Sequence, residues 1–520
     1  MALEPDLFIP SSKADYVICD QLNDIFIDAV TRRVSDVHFK EDNGRCNVRF
    51  RMPGGEVWLR SSFDHETARI FDSKIRARAK LPFNEREAAL GGRMSFKIGN
   101  EGVDVRVELS PGVSGQLIAC RMLHQSNSDK KLKDFYMSGQ ARLALNRILR
   151  EPDGLFIVTG PTGSGKTTLL YSVLNELYNE IYQRNCNIVT IEDPVEYSVP
   201  HFHQMRVTRS LSFSDGLRSA LRQDPDVIMV GEIRDPESAS IAIQAANTGH
   251  LVFSTMHANS AAETIDRFMR LGIDPLTVGS TLRGVSAQRL LQTVTEDCPR
   301  QAPTPLQQQW LAKHGIFPDP DTRYPAPQGK QHLAGYVPVM ELMLMNSAVQ
   351  LAIPHGTQAI VNAAARQGQY ETLAMCGERL AAQGVVPLNK VIQITSSFVS
   401  VRPYVKRLGE MAVLQGIMTR KEMWDLVDFQ AQQILQGGDP IHLGKLLIQN
   451  QKCTPDQVVW MAGYTSDARE IMDRSLKTEK ERQAFLPIVQ AWIPGEQSLF
   501  DLVIKEGLCE KQGIYDAFSI

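Results

Sequence analysis

Residues 155–177 read LFIVTGPTGSGKTTLLYSVLNEL: an apolar run, then a glycine-rich loop with one lysine, then an apolar-periodic tail. That order predicts a buried strand, a loop and a helix. From Gly160 the residues GPTGSGKT match Gly-x-x-x-x-Gly-Lys-Thr, a pattern whose backbone N–H groups cradle phosphate. Gly160, Gly163 and Gly165 let the chain turn tightly, and the start of the following helix adds partial positive charge. Pro161, Thr162, Ser164 and Thr168 complete the expected ATP-binding loop. Lys166 is expected to reach the β- and γ-phosphates, and the Thr167 hydroxyl to hold Mg²⁺.

What such a loop does with its nucleotide depends on what lies downstream. In DVIMVGEIRD an apolar strand delivers Glu232 at its C-terminal end, where parallel sheets place ligands. There Glu232 could orient or deprotonate an attacking water, against the alternative of a surface glutamate ending a strand. TIEDPVEY ends another strand with Glu192, Asp193 and Glu196, oxygen donors of the kind divalent cations take, with Asp193 the expected second metal residue beside Thr167. TGHLVFSTMH sets His250 and His257 around a third strand. A lone histidine is ordinarily structural, but His257 ends a strand expected in the same sheet as the phosphate loop, so γ-phosphate sensing is its favoured role; for His250 the two roles balance. Nucleoside triphosphate hydrolysis is the expectation.

The bulk composition agrees. The chain has 520 residues, too many for one core, with 43% hydrophobic and 22% charged residues. A formal net charge of −3 gives no global basic field, so no nucleic-acid partner is expected. The eight cysteines are scattered without a Cys-x-x-Cys pair, which fits a reducing cytosol. The N-terminus lacks the basic start and apolar core of a signal peptide, and no run approaches the roughly 18 apolar residues of a membrane span. Any membrane contact is expected to go through a partner.

Residues 1–125 alternate helical and strand patterns and predict an α+β domain, followed by a polar linker at 126–134. From 135 to 292 apolar strands without polar alternation are separated by helices, which predicts a parallel sheet covered on both faces. Residues 293–334 are rich in Pro and Gln and read as an irregular insert, with helices returning up to 400. The tail, 405–520, carries a weak repeat of short helix, turn and longer helix starting at Arg407, His442 and Leu499.

Taken together, GPTGSGKTT, IEDPVEY, LRSALRQDPDVIMVGEIRD and TGHLVFSTMHANSAAETIDR resemble the four motifs of the type II secretion and type IV pilus ATPases. The resemblance runs over roughly residues 30–400 and implies a RecA-like P-loop NTPase core, an α+β N-terminal domain before it and a small helical extension after it. It implies a cytoplasmic homohexamer at the inner membrane that uses ATP and Mg²⁺, with an inner-membrane platform protein and a cytoplasmic assembly protein as partners. It also implies that Arg106 in VDVRV and Arg121 in ACRML reach bound nucleotide as arginine fingers, against the alternative of surface ion pairs. Assembly-type members carry paired Cys-x-x-Cys near 293–334; here only Cys298 remains, so no structural zinc is expected. The tail resembles, at the other end of the chain, a module that binds cyclic di-GMP, but partner docking is the larger expectation for it. A retraction motor, a conjugative DNA-transfer ATPase and a nucleotide-binding scaffold are the alternatives to an assembly motor. The altered stretch NEREAALGGR is left without an interpretation.

Overall fold

The computed structural model describes residues 16–124 except 43, 54 and 100, residues 130–395 except 315, 317 and 366–369, residues 408–463 except 437–440 and 442, residues 499–505, and positions 8 and 10. Residues 126–129 of the expected linker, together with Arg407, His442 and residues 464–498 and 506–520 of the tail, lie outside the described residues. The chain forms two compact units that interleave in sequence: Met1–Phe135 with Pro161–Glu232, and Tyr136–Gly160 with Ile233–Ile520.

In the first unit, helix α1 (Tyr16–Thr31) precedes strands β1 (Asp36–Asp42), β2 (Arg45–Arg51) and β3 (Val57–Asp64). Helix α2 (His65–Arg78) starts where Asp64 accepts the Thr67 N–H at 2.8 Å. Strands β4 (Leu90–Ile98), β5 (Glu101–Gly112) and β6 (Gly115–His124) complete a six-stranded antiparallel sheet, ordered β3-β2-β1-β6-β5-β4. Its period-two alternation buries Val103, Val105, Val107 and Leu109 of β5 against an aromatic core of Phe26, Phe39, Phe71 and Phe96. The stretch left without interpretation now has a reason: Arg76, 1% exposed, pairs with Asp72 at 2.8 Å and donates to the carbonyls of Pro82 and Glu85, which fixes the turn.

Helix α3 (Gly139–Ile148), capped by Ser138, leads into β7 (Gly154–Thr159), every residue of which is buried. Beyond the phosphate-loop sequence come α4 (Lys166–Glu176), β8 (Ile188–Glu192), β9 (His203–Arg206), α5 (Phe213–Ala220) and β10 (Val227–Val230). Strands β10, β8 and β9 run parallel in that order within the first unit. In the second unit, α6 (Pro236–Asn247), β11 (Leu251–Met256), α7 (Ala261–Arg270), α8 (Pro275–Thr281) and β12 (Leu282–Val294) follow. There β7 lies between β11 and β12, parallel to both.

Two features differ from the sequence expectation. The insert is not irregular throughout: after β13 (Arg300–Gln301), a capping box of Thr304 and Gln307 with Pro305 at the first helical position starts α9 (Pro305–Lys313). Its ribbon partner β14 (Tyr324–Pro325) and the long β15 (Leu333–Leu344) follow, and β15 adds antiparallel to β12, so the sheet is not wholly parallel.

Helices α10 (Ser347–Ala352), α11 (Thr357–Ala365), α12 (Leu373–Ala382) and α13 (Leu388–Thr395) close this part. The tail places α14 (Leu408–Leu414) with α15 (Arg420–Leu435) and α16 (Leu443–Gln449) with α17 (Pro455–Gly463), the short–long helix rhythm of the first two repeats. Of the third copy only α18 (Leu499–Lys505) is described. Met411, Leu447, Val458 and Phe500 share one small core, so the copies pack as one body.

Candidate active site

The loop after β7 has the backbone its glycines predict, with φ of 148° at Gly160, 76° at Gly163 and 86° at Gly165, all in the range glycine adopts without strain. Gly165 is the N-cap of α4 and supplies no capping side chain, whereas α2, α3, α5 and α7 are each capped by an Asp or Ser oxygen. No capping side chain therefore competes with an anion at the start of α4, where the helix dipole favours negative charge. Inside the loop, Lys166 Nζ donates to the Pro161 carbonyl at 3.0 Å, and the buried Ser164 Oγ has no hydrogen-bond partner among the described residues. Pro161, Thr162 and Gly163 are exposed. These features fit a phosphate.

At the start of α4 the Thr167 side chain lies near enough to the Glu196 carboxylate to favour its charged form. Burial pushes the Glu196 pKa up, while Arg106 and then Arg121 pull it down. Arg106 Nη2 also donates to the Val195 carbonyl at 3.4 Å, tying β5 to the Glu196 segment. Arg121 is half exposed and its Nε pairs with Asp36 at 3.1 Å. Both sequence-expected arginines thus stand close enough to Glu196 to act on its charge.

The three carboxylates of TIEDPVEY part company. Glu192, 3% exposed, turns inward: it accepts from Tyr171 Oη at 2.6 Å, Thr190 Oγ1 at 2.7 Å and Gln204 Nε2 at 3.1 Å. Asp193 is exposed and Glu196 half-buried. Among the described residues no three His, Cys, Asp or Glu side chains are grouped to hold a metal ion. Glu192 is held by Tyr171 and Gln204, two residues the sequence reading passed over. Glu232 lies two residues beyond β10, whose Val230 is in register with Ile191, so it leaves the sheet at the same end as the Glu192 segment.

In the second unit, register pairs Met256 with Thr159, which brings His257 beside Gly160 at the end of β11. Thr159 Oγ1 donates to the Met256 carbonyl at 3.0 Å and accepts the Ala258 N–H at 2.8 Å. Arg267 donates to the His257 carbonyl at 2.9 Å, and the buried Glu341 accepts the Ala261 N–H at 3.0 Å. His250 is elsewhere. It precedes β11, its Nδ1 3.0 Å from the Ala245 carbonyl, and the six-residue strand puts it about 20 Å from His257, at the opposite end of the sheet. It closes the end of α6, and the balance struck for it falls to the structural role.

Residues 293–334, where assembly-type members pair cysteines, place their Cys and His side chains as follows. Cys298 is buried, His314 Nδ1 lies 2.9 Å from the Trp310 carbonyl, and His332 Nδ1 accepts the Gln328 N–H. Among the described residues no helix is long and apolar enough to cross a membrane.

A glycine-rich loop joining a buried parallel strand to an uncapped helix defines an α/β fold of the P-loop NTPase class. Residues 11–393 match the family described as type II/IV secretion system protein, and the chain belongs to that family. It is 35% identical over 389 residues to the type II secretion system protein E of Aeromonas hydrophila, covering 73% of this chain and 76% of that one. To the type II secretion system ATPase E of Vibrio cholerae it is 34% identical over 394 residues, covering 74% and 76%. Among solved structures, the Legionella pneumophila ATPase DotB superposes with a TM-score of 0.55 at 20% identity, covering 72% of this chain and 95% of that one, which shows the shared fold. The family match ends before α14, so the tail lies outside it.

Proposed function

We propose that this chain is a cytoplasmic ATPase motor that works as a homohexamer and drives assembly of a type IV pilus or a type II pseudopilus through an inner-membrane platform protein. Family membership supports the general role. The observation that carries hydrolysis is the start of α4, without a capping side chain, behind the glycine loop, with the Glu196 carboxylate close to Arg106 and Thr167.

In this reading the loop N–H groups and Lys166 bind the phosphates, and Glu232 orients the attacking water and takes its proton. Bound Mg²⁺, held by Thr167 and through Asp193, would neutralise charge on the β- and γ-oxygens. Arg106 and Arg121 lie on the antiparallel sheet, so their contact with phosphate would let that sheet answer to the nucleotide. His257 would sense the γ-phosphate. Losing one such charge-stabilising group costs on the order of 2.7–4 kcal/mol, a hundred- to thousandfold in turnover. Phosphate release from the purified protein tests the assignment. Lys166→Ala abolishes turnover, and Glu232→Gln retains ATP binding without hydrolysis. Turnover near wild-type in Glu232→Gln removes the base, and a wild-type chain that does not bind MgATP removes the whole reading.

A further inference from the structure

The antiparallel sheet carries one row of side chains whose charges do not balance. Register sets Arg93 of β4 opposite Arg106 of β5, Arg106 opposite Arg121 of β6, Arg121 opposite Asp36 of β1, and Asp36 opposite Arg51 of β2. Directly opposed residues project to the same face, and like charges so placed destabilise a sheet. Asp36 is taken by Arg121, and Glu196 stands by Arg106. Arg93 has no hydrogen bond or ion pair among the described residues; the interaction it does make is repulsive, against Arg106. Arg206 of β9 adds further positive charge to the same point, and the buried Arg106 Nε has no hydrogen-bond partner among the described residues.

We propose that Arg93 is a third phosphate-binding arginine, which with Arg106 and Arg121 forms a clamp on the polyphosphate of the nucleotide. Strands about 4.8 Å apart put the three Cα atoms in a line about 10 Å long. Flexible guanidinium arms from such a line can converge on one multivalent anion, which supplies the missing counter-charge. The row then exists for its ligand, because it costs stability without one. This inference rests on the ATPase reading above.

The test is a set of purified variants, Arg93→Ala, Arg93→Lys and Arg106→Ala, titrated with MgATP and assayed for turnover. Arg93→Ala is expected to raise the Kd for MgATP about ten- to a hundredfold, with Arg93→Lys recovering part of the loss. Without nucleotide, Arg93→Ala is expected to unfold at the same temperature as wild type or higher, because a like-charge repulsion has gone. Loss of nucleotide-free stability with an unchanged Kd overturns the clamp and makes Arg93 structural. Wild-type affinity and turnover in Arg93→Ala beside a defective Arg106→Ala overturn the role of Arg93 alone, whereas absence of MgATP binding in the wild type overturns the reading beneath it.

Discussion

Replacing Arg420 by Ala should loosen the tail from the rest of the second unit, at a cost the geometry sets. Glu378 of α12 has no exposed side-chain surface, and Arg420, the first residue of α15, meets both its oxygens, at 2.7 and 2.6 Å. Tyr324 Oη donates to the same carboxylate at 2.6 Å, and burial beside that charge pushes the Tyr324 pKa up. Asp319 accepts the Arg420 N–H at 3.0 Å, and the guanidinium lies 4.8 Å over the Trp424 ring. Truncation leaves a buried carboxylate with one donor, and breaking a buried pair from one side costs about 3–5 kcal/mol. Changing both partners, Arg420→Met with Glu378→Gln, removes the stranded charge and should recover most of that loss. Urea unfolding followed by tryptophan fluorescence on wild type, both single variants and the double variant measures the coupling. A single Arg420→Ala variant within about 0.5 kcal/mol of wild type would refute the account, since that is the scatter of ordinary surface changes.

Other outcomes follow from the same structure. Gly139→Val should detach α15 from α3, since a Cβ at Gly139 would meet Ala431 Cβ at 2.4 Å; limited proteolysis should then release the tail faster than from wild type. Tyr171→Phe removes a donor from the buried Glu192 and should cost roughly 1.5–3 kcal/mol in unfolding free energy, with slowed ATP turnover and unchanged MgATP affinity. Glu196 makes stability fall with rising pH: its folded pKa is raised above the ordinary 4.5, so the folded state binds its proton more tightly, and that contribution is lost as pH climbs through the raised value. Thermal unfolding of Glu196→Gln should therefore gain on wild type as pH rises from about 4.5 into the neutral range, and parallel curves for the two proteins would contradict this.

Much of the site was legible because its chemistry is local. A loop that must close around phosphate needs glycines at fixed offsets, and those residues appear contiguously in 160–168. The strands around it are continuous apolar runs for the same local reason, being buried on both faces. Residues 305–313 escaped because Pro and Gln weigh toward irregular structure by composition, while Thr304 and Gln307 cap a helix by position. The strand at 333–344 escaped because its pairing partner, β12, is set by tertiary register. Glu192 and Glu196 are alike in sequence, four positions apart at one strand end, and nothing local says that Tyr171 and Gln204 hold one inward while Thr167 and Arg106 attend the other.

The sequence by itself determined a strand–loop–helix with glycines at the spacing of a phosphate loop and a place with the secretion ATPases, because glycine spacing and apolar runs act over a few residues. Only the tertiary structure decided that Arg93, Arg106 and Arg121 stand side by side, that His250 lies far from His257, and that α15 is clasped by Glu378. Those facts are contacts between segments distant in the chain. Their energies come from register and burial, which no window of sequence contains.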